Sequence, residues 1–296
     1  MNYVLTGSTG NITKPLAEKL LSAGHQVTVI GRTAENLKSL TDKGAKAAVG
    51  SIEDTAFLTE VFKGADAVYT MVPPKWDASD WKTYIGSIGE KYAAAIKNAG
   101  VKYVVQLSSI GAHLPEGVGP VSGLYRVEQA LNKLADVNVR HIRAAYFYQN
   151  LLANVDMVKH AGIIGANFSV NDNKFTIVDP TDIAQAIFEE LTTLNFKGSS
   201  VRYVVSDEIS TDQIASEIGN TIGKPDLTWV KFTNEQSLQG MKQAGLSEEV
   251  AKNYTEMGQS LDTGKMNEDY LKHRSSALGK VKLKDFAKVF AAVYNS

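Results

Sequence analysis

Over the first two hundred residues, short runs of β-branched and aliphatic side chains alternate with longer stretches of helical periodicity. Runs that are apolar on both faces, separated by amphipathic helices, predict a parallel sheet covered by helices on both sides. Seven strands are expected, over residues 3–6, 26–30, 46–49, 67–72, 103–107, 140–143 and 201–205. Between the first two, Leu16, Leu20 and Leu21 share one helical face, and Pro15 fits a first turn where a missing N–H is tolerated. Gly24 ends that helix. Further helices are predicted over 54–62, with Phe57, Leu58, Val61 and Phe62 inward, and over 81–99, with Tyr84, Ile88, Tyr92 and Ile96 inward.

Beyond about residue 207 the strand signal fades, and helical patterns cover 210–222, 235–244, 247–259 and 283–294. Residues 151–175 carry the loops and small residues of a chain leaving a sheet. Asp179-Pro-Thr-Asp-Ile-Ala184 then starts a helix, with Thr181 or Asp182 as its cap. The expected fold is α/β, a doubly wound, mostly parallel sheet with a smaller, mainly helical C-terminal domain. Residues 1–150, resumed at about 179–206, form the sheet domain, and residues 151–178 and 207–296 form the smaller domain on the substrate side.

Composition narrows the chemistry. The 296 residues carry 31 Lys+Arg against 32 Asp+Glu, a net charge of −1, and 44% are hydrophobic. That balance provides no field to draw the chain onto nucleic acid or an anionic membrane, so a small-molecule substrate is expected instead. Zero cysteines exclude disulfides, thiolate nucleophiles and iron–sulfur clusters. No apolar run approaches the ~18 residues of a membrane span, and the first residues lack the pattern of a signal peptide. A cytoplasmic address is expected. The five histidines, His25, His113, His141, His160 and His273, show no chelating spacing, so no metal is expected.

The first predicted strand runs into Gly7-Ser8-Thr9-Gly10-Asn11-Ile12-Thr13, which opens the Leu-striped helix. In that position glycines let the backbone approach a pyrophosphate, and the helix N-terminus supplies free N–H groups and partial positive charge. The backbone around Thr9 to Ile12 is expected to meet the phosphates. Thr13 replaces the third glycine that eases helix packing. An NAD site carries a carboxylate at the end of the second strand, yet no Asp or Glu lies between Glu18 and Glu35. Arg32 sits there instead, and a guanidinium can hold a 2′-phosphate, so NADP(H) is expected in preference to NAD(H). The alternative for Arg32 is a solvated surface charge. At the third strand end Gly50-Ser51-Ile52 is placed to flank adenine, and at the fourth Thr70, Met71 and Val72 pass beside the ribose and phosphates. The alternative for either segment is plain loop.

Taken together, Thr6-Gly-Ser-Thr-Gly10, Arg32, Gly50-Ser-Ile52, Leu107-Ser-Ser-Ile-Gly-Ala112, Arg143-Ala-Ala-Tyr-Phe-Tyr-Gln-Asn-Leu-Leu152 and Asp179–Ala184 resemble the NmrA-like family of atypical short-chain dehydrogenases/reductases. The resemblance covers nearly the whole chain. It implies a Rossmann domain binding NADP(H), a second domain completing a cleft, and an activity among quinone reductases, isoflavone-type reductases and silent redox sensors. It also implies that Tyr148 and Asn150 lie by the nicotinamide end of the cofactor, although the proline usual just before that stretch is Ala144 here.

The broader superfamily pairs a serine after strand five with Tyr-x-x-x-Lys, whose lysine lowers the tyrosine pKa. Ser108 fits the serine, but the only tyrosine candidate reads Tyr125-Arg-Val-Glu-Gln129, with Gln129 at the lysine position. An unassisted phenol of pKa ~10 pays ~4 kcal/mol to ionise at pH 7. The Lys-x-x-x-Glu pattern of relatives fails too, since Leu124 precedes Glu128 by four. Ser108, Tyr125 and Tyr148 remain the catalytic candidates, with His113 in the following loop. Quinone reduction asks little beyond holding NADPH against a flat ring, and Trp76, Trp81, Tyr146, Phe147 and Tyr148 are candidates to wall such a cleft, or are packing. The alternatives are a non-catalytic NADP(H) sensor acting on a protein partner, and a sugar-nucleotide epimerase; a homodimer is compatible with each.

Overall fold

The computed structural model describes residues 1–172, 174–274 and 277–296. The seven expected strands form one parallel sheet: β1 (Asn2–Leu5), β2 (Gln26–Gly31), β3 (Lys46–Val49), β4 (Ala67–Thr70), β5 (Tyr103–Ser109), β6 (Asn138–Ala144) and a last strand, Ser199–Val204. Their spatial order is Ser199–Val204, β6, β5, β4, β1, β2, β3, with every pairing parallel. The order reverses beside β1, which makes the C-terminal edge at β1 and β4 a topological switch point.

Alternation along the strands assigns the two faces. Tyr3 and Leu5 of β1, with Tyr69 and Val105, pack on helices α1 (Thr13–Ser22) and α2 (Ala34–Thr41) and on helix Pro180–Thr193. Val4, Val68, Val104 and Val139 face the other way, onto α3 (Thr55–Phe62), α4 (Trp81–Ala99) and α5 (Val121–Asn132). Both layers exclude water, so strands inside the sheet carry apolar residues in both directions.

Helix ends follow local chemistry. Asp54 caps α3 by accepting from the amides of Ala56 and Phe57, and Asp80 caps α4 through Thr83. Helix Pro180–Thr193 is capped by Asp179 rather than by Thr181 or Asp182. Pro180 fits the first helical position, which leaves the extended residue before it as cap, and its carboxylate accepts from Thr181 N at 2.8 Å. Asp182 instead accepts from Ser206 Oγ at 2.6 Å and from the amides of Lys280 and Val281 at 3.0 and 3.1 Å, tying the C-terminal segment to the sheet.

Residues 151–175 hold more order than loops and small residues foretell. A 3-10 turn Tyr148–Asn154 leads into helix Val155–Ala161 and strand Ile164–Ala166. That strand pairs with Trp229–Lys231, while Tyr146–Phe147, Phe175–Val178 and Asp207–Ile209 make a second small sheet. The helices expected after residue 207 are present as Thr211–Thr221, Asn234–Gln243, Glu248–Asp262 and Leu283–Tyr294. No helix among the described residues is long and apolar enough to cross a membrane.

Candidate functional site

Strand β1 ends in a backbone turn that an L-side chain resists. Gly7 has φ +94°, and a Cβ there would stand 2.5 Å from Thr13 Oγ1 and 3.0 Å from Met71 Cγ. Thr13 is therefore more than a substitute for a glycine: its hydroxyl donates to Thr6 O at 2.9 Å and ties the start of α1 directly to the strand. Thr6 Oγ1 accepts from Met71 N at 2.8 Å, so the ends of β1 and β4 are clamped together. Gly10 N donates to Gly7 O at 3.1 Å and Ser8 N to Ile30 O at 3.1 Å. The amides of Thr9, Asn11 and Ile12, in contrast, donate to no group among the described residues. Ile12 at the N-cap offers no side-chain acceptor, and the first turn of α1 contains no acid. The positive end of this helix is left open to an anion.

The neighbouring strand ends line the same edge. Arg32, just past β2, is exposed and forms no ion pair among the described residues. Ser51 Oγ accepts from Glu53 N at 3.1 Å, closing the turn after β3, and Ile52 is half-buried beside it. Thr70 is buried with no partner for its hydroxyl. Met71 O accepts from Tyr92 OH at 2.7 Å, and Val72 continues the segment half-buried. Gly7, Thr9, Gly10, Asn11, Ile12, Arg32, Ser51, Ile52, Thr70, Met71 and Val72 thus share the C-terminal edge of the sheet.

The catalytic candidates are distributed differently from the sequence expectation. Ser108 is buried under α5 and donates to Glu128 Oε1 at 2.5 Å. Glu128, 2% exposed, receives Arg143 through both Nε at 3.0 Å and Nη2 at 2.7 Å. Arg143 Nη1 reaches Tyr203 OH and Asp269 Oδ2, each at 3.0 Å, and Tyr203 OH also donates to Asp269. Burial opposes ionisation of Asp269, yet the Tyr203 hydrogen bond and the Arg143 charge hold its carboxyl below the ordinary value. Burial likewise opposes the charge on Arg143, and the Glu128 contacts more than offset it. Tyr125, on the same helix, is half-buried and its hydroxyl has no hydrogen-bond partner among the described residues, and Gln129 is exposed. The sequence pointed to Tyr125; the residue that meets Ser108 is Glu128. Its signal was available, because Val121, Leu124, Glu128 and Leu131 form one stripe, and an acid on a buried stripe requires a partner.

Tyr148 does not open onto the sheet edge. It is fully buried, stacks on Phe286 at 5.1 Å and 15°, and donates to Asp207 Oδ2 at 2.6 Å. Burial and the adjoining Asp207 push its phenol far up. Asn150, two residues on, is exposed. His113 has both ring nitrogens buried without partners, and burial lowers its pKa. The expected aromatic wall is split. Trp76 and Trp81 join Tyr254 in one cluster, Tyr146 joins Phe168 and Phe175 in another, and Tyr148 belongs to neither. Tyr254 lay outside the sequence reading, since only packing of helix Glu248–Asp262 on the loop after β4 brings it there. Among the described residues no three His, Asp or Glu side chains converge as metal ligands.

Comparison with known proteins agrees with this architecture. The model of the NmrA-like family matches residues 3–287. The chain is 24% identical over 222 residues to a (4-alkanoyl-5-oxo-2,5-dihydrofuran-3-yl)methyl phosphate reductase of Streptomyces griseus, covering 75% of this chain and 74% of that one. An NADPH-dependent quinone oxidoreductase of Escherichia coli, solved with NADPH, superposes with a TM-score of 0.81 at 18% identity, covering 99% of this chain and 100% of that one. A triphenylmethane reductase of Citrobacter sp. gives a TM-score of 0.79 at 19% identity, again covering 99% and 100%. At these identities the structural likeness establishes a shared fold.

Proposed function

Because the chain belongs to the NmrA-like family, we propose that it is an NADP(H)-dependent oxidoreductase that reduces a small electron-poor acceptor such as a quinone. The observation that carries this reading is the glycine loop: three free amides at an uncapped helix N-terminus, behind a Gly7 whose missing Cβ keeps the turn closed against Thr13. The fit to a pyrophosphate is one of backbone donors and space. Thr9, Asn11 and Ile12 would hold the phosphates, Arg32 the 2′-phosphate, Ser51 and Ile52 the adenine, and Thr70 to Val72 the ribose side. When bound, NADPH supplies the hydride, and a proton from solvent completes reduction of a quinone to its hydroquinone.

The reductases found by comparison support the reaction class, each by its own activity. Within this chain, Ser108 would act by position: its hydroxyl is held by Glu128, and Glu128 by Arg143. Tyr148, locked on Asp207, would shape the fold beside the site rather than move a proton. We take residues 151–178 and 207–296 as the substrate-side unit and the cytoplasm as the address.

One observation favours a second reading, a cofactor-dependent sensor acting on a protein partner. The hydroxyls of Ser108 and Tyr148 are both committed to carboxylates, and Gln129 is no substitute for the lysine of a proton-donating pair. The same fact weighs against an epimerase, whose chemistry leans on that pair. NADPH oxidation across a panel of quinones separates the readings: turnover is expected, and binding of NADPH without oxidation by any quinone would favour the sensor. No NADPH binding in a direct titration would refute both.

A further inference from the structure

The C-terminal edge that carries the glycine loop also presents an exposed tryptophan on a stiffened stem. After β4 the chain passes through Pro73 and Pro74 and brings Trp76 to the surface. Trp76 is 52% exposed, whereas Trp81 beneath it is 3% exposed, so only the first offers a free ring. Its position is nevertheless fixed. Ser247 Oγ donates to Trp76 O at 3.3 Å, and the adjoining Lys75 lies over the Tyr84 ring at 4.8 Å and within 3.5 Å of Glu53. The Trp76 ring stands 5.5 Å from Trp81 and 6.1 Å from Tyr254.

Tyr254 belongs to this cluster, its ring 5.4 Å from that of Trp81. Its hydroxyl donates to no group among the described residues. It lies near enough to the phenol of Tyr146, just past β6, for charge on one to disfavour charge on the other. Tyr146 packs edgewise on Phe168 at 5.9 Å and against Phe175 at 5.3 Å. Neither Tyr146 nor Tyr254 is sealed from solvent; each is half-buried. The parallel sheet puts the ends of β4 and β6 on the same edge as β1, so the segments that carry Trp76 and Tyr146 leave the sheet on the edge that carries the glycine loop.

We infer that Trp76, Tyr146 and Tyr254 form the seat of the acceptor, which is a planar conjugated dicarbonyl compound stacked on Trp76 with its oxygen facing the two phenols. This rests on the reductase reading above and adds the residues that select the substrate. Burial pushes the Tyr254 phenol up to about 12 and that of Tyr146 higher still. Both therefore remain protonated at neutral pH and act as hydrogen-bond donors, matched to negative charge that develops on a carbonyl oxygen during reduction. Trp76 contributes an electron-rich face to an electron-poor ring.

The test is calorimetric titration of 1,4-naphthoquinone, with cyclohexane-1,4-dione as the non-aromatic control, into protein alone and protein saturated with NADP+. Wild type, Trp76→Ala and Tyr254→Phe are compared, with near-UV circular dichroism checking the fold. Trp76→Ala at an exposed ring should weaken naphthoquinone about three- to tenfold and leave the dione unchanged. Tyr254→Phe keeps the ring and should weaken both compounds about three- to tenfold. Affinity for NADP+ should be the same in all three proteins. Naphthoquinone that fails to bind wild type, or binds all three alike, overturns the inference. Absence of NADP+ binding with the naphthoquinone pattern intact would instead overturn the cofactor reading and leave the seat standing.

Discussion

Replacing Gly7 by alanine tests the loop at its tightest point, and Gly24→Ala supplies the control. Both glycines have positive φ, +94° and +81°, but a Cβ at Gly24 meets nothing within 4 Å while one at Gly7 stands 2.5 Å from Thr13 Oγ1. Gly24→Ala thus measures backbone strain alone, about 1 kcal/mol for one residue in the left-handed region. Gly7→Ala carries the same strain plus an overpacked contact that costs about 1–3 kcal/mol more, because Thr13 is buried and held by Thr6 O at 2.9 Å. The expected losses in urea unfolding are about 1 kcal/mol for Gly24→Ala and about 3 kcal/mol for Gly7→Ala. Thr13→Ala removes the clashing atom, so the double variant should be less destabilised than the two single losses added together. NADPH fluorescence should show affinity falling at least about tenfold for Gly7→Ala and not at all for Gly24→Ala. Equal destabilisation of the two glycine variants would refute the packing argument, and unchanged NADPH affinity in Gly7→Ala would refute the placement of the phosphates.

Arg32→Ala should weaken NADPH about 10- to 100-fold, the range for a charge-assisted hydrogen bond, and leave NADH unchanged; parallel losses in a two-cofactor titration would contradict the assignment. Glu128→Leu removes the carboxylate between Ser108 and Arg143 and should cost about 3 kcal/mol in urea unfolding, with Arg143→Met recovering part of it in the double variant; a loss under about 1 kcal/mol would show that the pair is not buried as described. His141 has its ring between Gln106 Oε1 at 2.9 Å and Asn132 Oδ1 at 2.8 Å, and burial lowers its pKa to about 4. A neutral ring donates only once, so one of the two amides turns its NH2 toward it. The unfolded chain binds this proton near pH 6.5 and the folded one near 4. Stability from this group is therefore full above pH 6.5 and is lost as pH falls toward 4, by about 3 kcal/mol. His141→Gln should flatten that part of the pH profile, and an identical acid slope in both proteins would contradict it.

The sheet was legible from the chain because its signals are local. Two-sided apolar runs, the leucines of α1 and the glycines after β1 each act within a few residues, and all seven expected strands pair in one sheet. Helix ends were nearly as legible, although the Asp179 cap depended on Pro180 taking the first helical position. Residues 151–175 misled because short elements there gain their order from partners far away: Ile164–Ala166 pairs with Trp229–Lys231, and Phe175–Val178 with Asp207–Ile209. No periodicity records such pairings.

Chemistry divides along the same line. The sequence alone determined the glycine turn proposed to hold the phosphates, since a backbone turn at Gly7 and an uncapped helix start need only neighbouring residues, and it determined that Arg32, not an acid, follows β2. Only the tertiary structure decided what the remaining polar groups do. Ser108 meets Glu128 across a separation of 20 residues, and Tyr148 meets Asp207 across 59. A hydroxyl takes its role from the group it faces once buried. That facing group is set by how helices lie on the sheet, and burial then fixes whether a phenol stays a donor or a carboxylate stays charged.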